Sequence, residues 1–242
     1  MVPNIGYFCK MKYRHLFFDL DHTLLDFNRN AKHTLTDLYS ELGLEKRGVA
    51  DFELFYTHYI THNEKLWSRY RNGFIKVDEL RWKRMWHTLL EFRIQDEMLA
   101  RTLGDRFLEL LPTRKLLFPG TVRTLEYLRD KGYKLHLITN GFEKTQHTKL
   151  RNSGISQFFI EVITSEGSNS IKPKKEIFEY ALKKASAMTH HSIMIGDSIE
   201  ADIQGAINAG IDQVYMNHED LPCSNVRPTY TVRSVQELEN IF

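Results

Sequence analysis

The stretch His15-Leu16-Phe17-Phe18-Asp19-Leu20-Asp21-His22-Thr23 sets the pattern of the chain. Residues 15–20, HLFFDL, form a short apolar run that ends among acids. Such a run reads as a buried strand whose C-terminal end carries polar chemistry. The ten residues before Met11 read either as a loose extension or as a product of start-site choice.

Beyond residue 27 the rhythm changes to helical spacing. Leu35, Leu38, Tyr39 and Leu42 recur on one face, with Gly43 where a helix would stop. Asp51 stands as a cap before Phe52, Phe55, Tyr56, Tyr59, Ile60, Leu66, Trp67 and Tyr70, and Gly73 ends that run. Trp82, Met85, Trp86, Leu89 and Leu90 are in phase, as are Leu99, Leu103, Phe107 and Leu110. About four helices with no strand between them predict a small bundle inserted over residues 27–114. Residues 1–26 and 115–242 form the remainder.

After Pro119-Gly120, helix and strand alternate. The pattern predicts a helix over 121–131, a strand over 133–139, a helix over 143–152 and a strand over 158–164. A helix over 174–187, a strand over 192–196, a helix over 200–209 and short strands at 214–216 and 230–232 follow. Joined to the strand at His15, this alternation specifies an α/β fold: a parallel sheet covered by helices on both faces.

Composition narrows the partners. The 242 residues are 42% apolar and 26% charged, enough for a real core, and the formal charge of +2 is scattered in both signs. That balance gives no reason to expect a nucleic-acid surface. No segment approaches the roughly 20 apolar residues of a membrane span, and residues 1–10 lack the apolar stretch of a signal peptide. Cys9 and Cys223 have no companion ligands at zinc spacing, which fits a reduced, cytoplasmic setting. Nothing in the sequence sets an oligomeric state.

Open parallel sheets gather ligands at the C-terminal ends of their strands. The residues there are selective: Asp19, Asp21 and Thr23 after the first strand, Thr139, Asn140 and Gly141 after the second, Ser165 and then Lys172 after the third, Asp197, Ser198 and Asp202 after the fourth. Singly each has a plainer explanation. Asp-x-Asp and Asn-Gly are turn formers, Lys172 has surface lysines beside it, and Asp197 and Asp202 suit a helix start. Arriving in this order on one rim, they suit phosphoryl transfer. Asp19 is placed to attack phosphorus, Asp21 to protonate the leaving oxygen and then deprotonate water, and Thr139 with the following amides to hold phosphoryl oxygens. Oxygen-only ligands suit Mg²⁺, and Lys172 would screen the remaining charge.

These residues resemble four motifs of the haloacid dehalogenase superfamily: DLDHT at 19–23, ITNG at 138–141, IKP at 171–173 and IGDSIEAD at 195–202. The resemblance implies a Rossmann-like three-layer core, Mg²⁺ and an aspartyl-phosphate intermediate. It also implies that the helical insertion is a C1-type cap that closes over the leaving group. Residue by residue, it implies Asp19 as nucleophile and metal ligand, and Asp21 as acid/base and backbone-carbonyl metal ligand. Thr139 becomes the phosphate binder, Lys172 the charge balancer and Asp197 a metal ligand, with Asp202 and Ser198 supporting the metal site. Dehalogenases of the superfamily lack the second carboxylate, so Asp21 favours a phosphatase. Family phosphomutases tend to follow the acid pair with Gly, where this chain has His22-Thr23.

The stretches DLDHTLLDFNRNA and KPKKEIFEYAL are most similar to small nucleotidases that dephosphorylate pyrimidine nucleoside monophosphates. The implied partner is a small phosphorylated metabolite, a nucleotide, with Phe27 and Asn28 beside its base. Phe52, Phe55, Tyr56, Trp67, Trp82 and Trp86 are read mainly as packing of the cap's own core. A broad phosphatase for sugar phosphates or phosphoglycolate, and a binding protein that has lost turnover, are the competing readings.

Overall fold

The computed structural model describes residues 11–220 and 226–242. The segment 1–10, Cys9 and Cys223 lie outside the described residues. The chain divides into two compact units. One gathers the described residues up to Leu24, Phe118–Asn140 and those from Gln157 onward; the other gathers Leu25–Leu117 and Gly141–Ser156.

The first unit is built on six parallel strands: β1 (His15–Phe18), β2 (Lys134–Thr139), β3 (Phe159–Thr164), β4 (Ser192–Gly196), β5 (Asp212–Met216) and β6 (Tyr230–Val232). Their order is β3-β2-β1-β4-β5-β6. β1 is therefore internal, and Phe18 is in register with Leu137 on one side and Ile195 on the other. All four β1 residues are buried, as a strand covered on both faces requires. Phe17, Ile138, Ile163 and Met194 pack with Ile177, Phe178 and Ala181 of the helix Lys175–Lys184. Side chains alternate along a strand, so Leu16 and Phe18 point to the other face. Burying a phenylalanine here stabilises the fold by about 2–3 kcal/mol. The helix Thr121–Asp130 buries Leu125 and Leu128 and leads through Gly132, at φ +92°, into β2.

Helices α1 (Phe27–Glu41), α2 (Phe52–Arg71), α3 (Val77–Glu91) and α4 (Glu97–Leu110) make up most of the second unit. Aspartates start three of them. Asp26 accepts from the Arg29 amide, Asp51 from those of Glu53 and Leu54, and Asp96 from that of Leu99. Leu35, Leu38, Phe55, Tyr59, Met85, Leu89, Leu103 and Phe107 form the core, with Phe52, Tyr56, Trp82 and Trp86 packed around it. Gly104 lets α4 come close to α3, because a Cβ there would lie 2.9 Å from the Arg81 carbonyl oxygen. A fifth helix, α5 (Glu143–Asn152), groups with this unit. The residue before it, Phe142, packs with Leu66, Ile75 and Leu80, against the ring of Trp67. No helix among the described residues is long and apolar enough to cross a membrane.

The helix expected over 200–209 takes another form. Residues Ile199–Gln204 form a π-helical turn and Gly205–Asn208 a short α-helix. The Ser198 carbonyl accepts from the amides of both Asp202 and Ile203, which widens the turn. The Asp202 carboxylate is a further hold, accepting from the Ser198 amide at 3.0 Å. The expected helix over 174–187 is shorter, at Lys175–Lys184, and Ser165–Ser168 forms a helical turn that periodicity gave no sign of.

Candidate active site

Asp19 follows β1 directly, and its amide continues the sheet ladder by donating to the Ile195 carbonyl at 2.8 Å. This fixes the backbone from which its carboxylate projects. Lys172 is buried, with its Nζ donating to Asp19 Oδ1 at 2.5 Å, Asp202 Oδ1 at 2.6 Å and the Ile138 carbonyl at 2.7 Å. Three acceptors match the three hydrogens of an ammonium. The lysine is thus not a surface residue but a cross-link between the ends of β1, β2 and the turn after β4.

Asn140 holds that lysine in place from the other end. Its Nδ2 donates to the Lys172 carbonyl at 2.9 Å, and its Oδ1 accepts from the Lys172 amide at 2.8 Å. The Asn140 carbonyl in turn accepts from Ser165 Oγ at 3.1 Å. Thr139 is buried at the end of β2, in register with Thr164, and Gly141 follows it two residues on. Thr23, fully buried, donates from Oγ1 to Asp197 Oδ1 at 2.9 Å. Ser198 caps the π-helical turn by accepting from the Ala201 amide at 3.1 Å.

The structure brings Asp19, Lys172, Asp197 and Asp202 into one cluster. One carboxylate oxygen from each of Asp19, Asp197 and Asp202 lies within 4.8 Å of the others. Three carboxylates against one ammonium leave a formal excess of two negative charges. Burial pushes the Asp19 carboxyl well above its usual range, Asp202 and Asp197 add to that, and Lys172 opposes it. Burial and the Asp202 charge push Asp197 up to about 7, against the Thr23 hydrogen bond and Lys172. Burial disfavours the Lys172 charge, but Asp19 and Asp202 outweigh it and raise its pKa. A hard divalent cation fits this oxygen-only set and cancels the excess charge. Asp202 is the least available of the three acids, because Lys172 occupies Oδ1 and the Ser198 amide occupies Oδ2.

Asp21 is half-buried in the turn after Asp19, next to His22 at φ +63°. Phe27 and Asn28 belong to the helical unit. Phe27 sits in its core with the Lys149 Nζ 5.3 Å from its ring centre, and the Asn28 carbonyl accepts from Tyr56 Oη at 2.8 Å. Sequence reasoning missed the Asn140–Lys172 clamp and the Thr23–Asp197 bond. The side-chain donors beside each strand end were visible, but their partners lie 32 and 174 residues away.

Comparison with known proteins agrees with this geometry. The model of the haloacid dehalogenase-like hydrolases matches residues 13–210. The HAD-hydrolase YfnB of Bacillus subtilis is 31% identical over 96% of both chains. Its crystal structure, bound to magnesium, superposes with a TM-score of 0.85, at 30% identity, over 95% of this chain and 98% of that one. The pyrimidine 5'-nucleotidase PynA of Streptococcus pneumoniae is 33% identical over 94% of both chains. The pyrimidine 5'-nucleotidase YjjG of Escherichia coli is 31% identical over 96% of this chain and 99% of its own. With a parallel sheet of matching architecture, the four motifs at its strand ends and relatives aligned along nearly their full lengths, this chain belongs to the haloacid dehalogenase-like hydrolases.

Proposed function

We propose that the protein is a magnesium-dependent phosphomonoester hydrolase that works through an aspartyl-phosphate on Asp19, and that its substrates are nucleoside 5'-monophosphates. The observation that carries the reading is the Lys172 ammonium shared between Asp19 and Asp202 at the strand ends, in a cluster with surplus negative charge. Lys172 holds Oδ1 of Asp19 and so orients Oδ2 as the attacking oxygen. Asp19 forms the new bond to phosphorus as the bond to the leaving oxygen breaks, and Asp21 delivers a proton to that oxygen. Asp21 then takes a proton from the water that attacks the aspartyl-phosphate, which releases inorganic phosphate and restores Asp19. Thr139 and the amides of the turn at 140–141 hold phosphoryl oxygens. Asp19, Asp197 and the Asp21 backbone carbonyl would hold Mg²⁺, which would supply charge neutralisation at the phosphoryl group. Asp202 and Ser198 support this site by fixing Lys172 and the π-helical turn.

The nucleotide part of the reading rests on the relatives that carry a pyrimidine 5'-nucleotidase name. Phe27 and Asn28 are the proposed neighbours of the base. A panel of phosphorylated metabolites assayed with Mg²⁺, and again with a chelator, tests both parts. Turnover of pyrimidine nucleoside monophosphates that the chelator abolishes is expected. Preference for sugar phosphates over every nucleotide would remove the nucleotidase reading, and turnover undiminished by the chelator would remove the metal.

A further inference from the structure

We propose that His218 is a positioning residue for the candidate active site, acting through the backbone of Thr23. The inference rests on the reading of Asp19 and Asp197 given above. His218 follows β5, where the Asn217 amide donates to the Val232 carbonyl at 2.8 Å and ties the chain to β6. From this anchored position its imidazole reaches in three directions. Nε2 lies 3.2 Å from the Thr23 carbonyl oxygen, Nδ1 lies 3.2 Å from the Arg233 carbonyl oxygen, and the ring stacks on Phe118 with centroids 3.8 Å apart and planes at 16°. Both polar partners are acceptors, so the tautomer with its proton on Nε2 donates to the Thr23 carbonyl, and the one with its proton on Nδ1 donates to the Arg233 carbonyl.

The residues it touches are placed for consequence. Thr23 is the residue whose hydroxyl donates to Asp197. Phe118 donates its amide to the Leu24 carbonyl at 2.9 Å. The chain passes from one compact unit to the other between Leu24 and Leu25 and returns between Leu117 and Phe118. A single side chain therefore touches the sheet-unit ends of two of the chain's four crossings, at Thr23 and Phe118, and with them the peptide that aims the Thr23 hydroxyl at Asp197. Small displacements of a positioned group cost catalysis far more than they cost binding when the group acts on the reacting centre.

Three variants separate this role from simple packing. His218→Phe keeps the stack on Phe118 and removes both ring nitrogens. His218→Gln carries an amide N–H to about where Nε2 lies and restores the bond to Thr23. His218→Asn reaches only to about where Nδ1 lies and restores the bond to Arg233. The expected result is a kcat lowered by about 5- to 20-fold in the Phe and Asn variants, with KM within about 2-fold, and a Gln variant within about 3-fold of wild type in kcat. Thermal unfolding of the three variants is expected not to follow that order. A wild type that turns over a phosphomonoester while all three variants match it overturns the inference alone. So does a Gln variant that falls as far as the Phe variant. A wild type that turns over no phosphomonoester overturns the reading of the site and this inference with it.

Discussion

A methyl group on Gly196 would lie 2.3 Å from Oδ2 of Asp202, so the last residue of β4 is glycine because a carboxylate fills the space beside it. That carboxylate bonds Lys172 through Oδ1 and the Ser198 amide through Oδ2. Gly196→Ala is expected to displace it, lowering kcat by about 10-fold or more and destabilising the protein by about 2–4 kcal/mol, because Lys172 loses a buried partner. In an Asp202→Ala background the same methyl is expected to add little. Urea denaturation and steady-state kinetics of the four proteins check this, and additive losses would show that Asp202 is not what the methyl meets.

Asp19→Asn removes the proposed nucleophile and one of three crowded carboxylates together. Turnover is expected to disappear while the fold persists. Because burial and its acidic neighbours raise the Asp19 pKa, its ionised form costs stability at neutral pH. The variant in chelator is therefore expected to be as stable as wild type, or more stable by about 1 kcal/mol. Chemical denaturation at pH 7 reads this directly, and comparable activity in the variant would end the aspartyl-phosphate mechanism.

Gly141 has a similar constraint within the helical unit. An added Cβ would lie 1.6 Å from Nε2 of the buried Gln146, on the first turns of α5. Gly141→Ala is expected to lower both stability and kcat, and Gln146→Ala to relieve most of that extra cost. A double-mutant cycle with a coupling of about 1 kcal/mol or more is the expected outcome. Independent effects would mean that Gln146 moves aside freely.

His15 and His136 form a buried pair on β1 and β2, with Nδ1 of one 3.1 Å from Nε2 of the other. Burial, with His15 and Lys134 nearby, lowers His136 from its ordinary 6.5 to about 3, and burial lowers His15 too. The unfolded chain takes up a proton below about pH 6.5 while folded His136 stays neutral to about pH 3, so its contribution to stability is lost as pH falls through that window. His136→Met is expected to lose about 1–2 kcal/mol less than wild type between pH 7 and pH 5. Denaturation curves at the two pH values measure the difference, and equal losses would show the pair is not the acid-sensitive element.

Much of the site could be read from the chain because strands and acids coincide. Each of Asp19, Thr139 and Asp197 directly follows or ends an apolar run, and a parallel sheet puts such positions on one rim. Lys172 was ambiguous for a physical reason. Its burial depends on Asp19, Ile138 and Asp202, none of which is its neighbour in sequence. The π-helical turn was hidden because a two-amide acceptor at Ser198 leaves the helical apolar spacing of Ala201 and Ile203 almost unaltered. The grouping of α5 with the helical unit follows from Phe142 packing on Trp67 and Leu66, contacts that its amphipathic pattern does not specify.

The central place of β1 has a consequence for synthesis. Its neighbours are β2 and β4, with His15 in register with Lys134 and Ser192. On a ribosome, the apolar strand at 15–18 leaves the exit tunnel well before either flanking strand is translated, while α1 to α4 emerge next and pack by shorter-range contacts. The nascent chain thus carries an unpaired, aggregation-prone strand through the making of the entire helical insertion. The strand that leads into Asp19 is made before the other described strands and gains its second neighbour only once β4 has emerged, so its pairing waits on nearly the whole of the described chain.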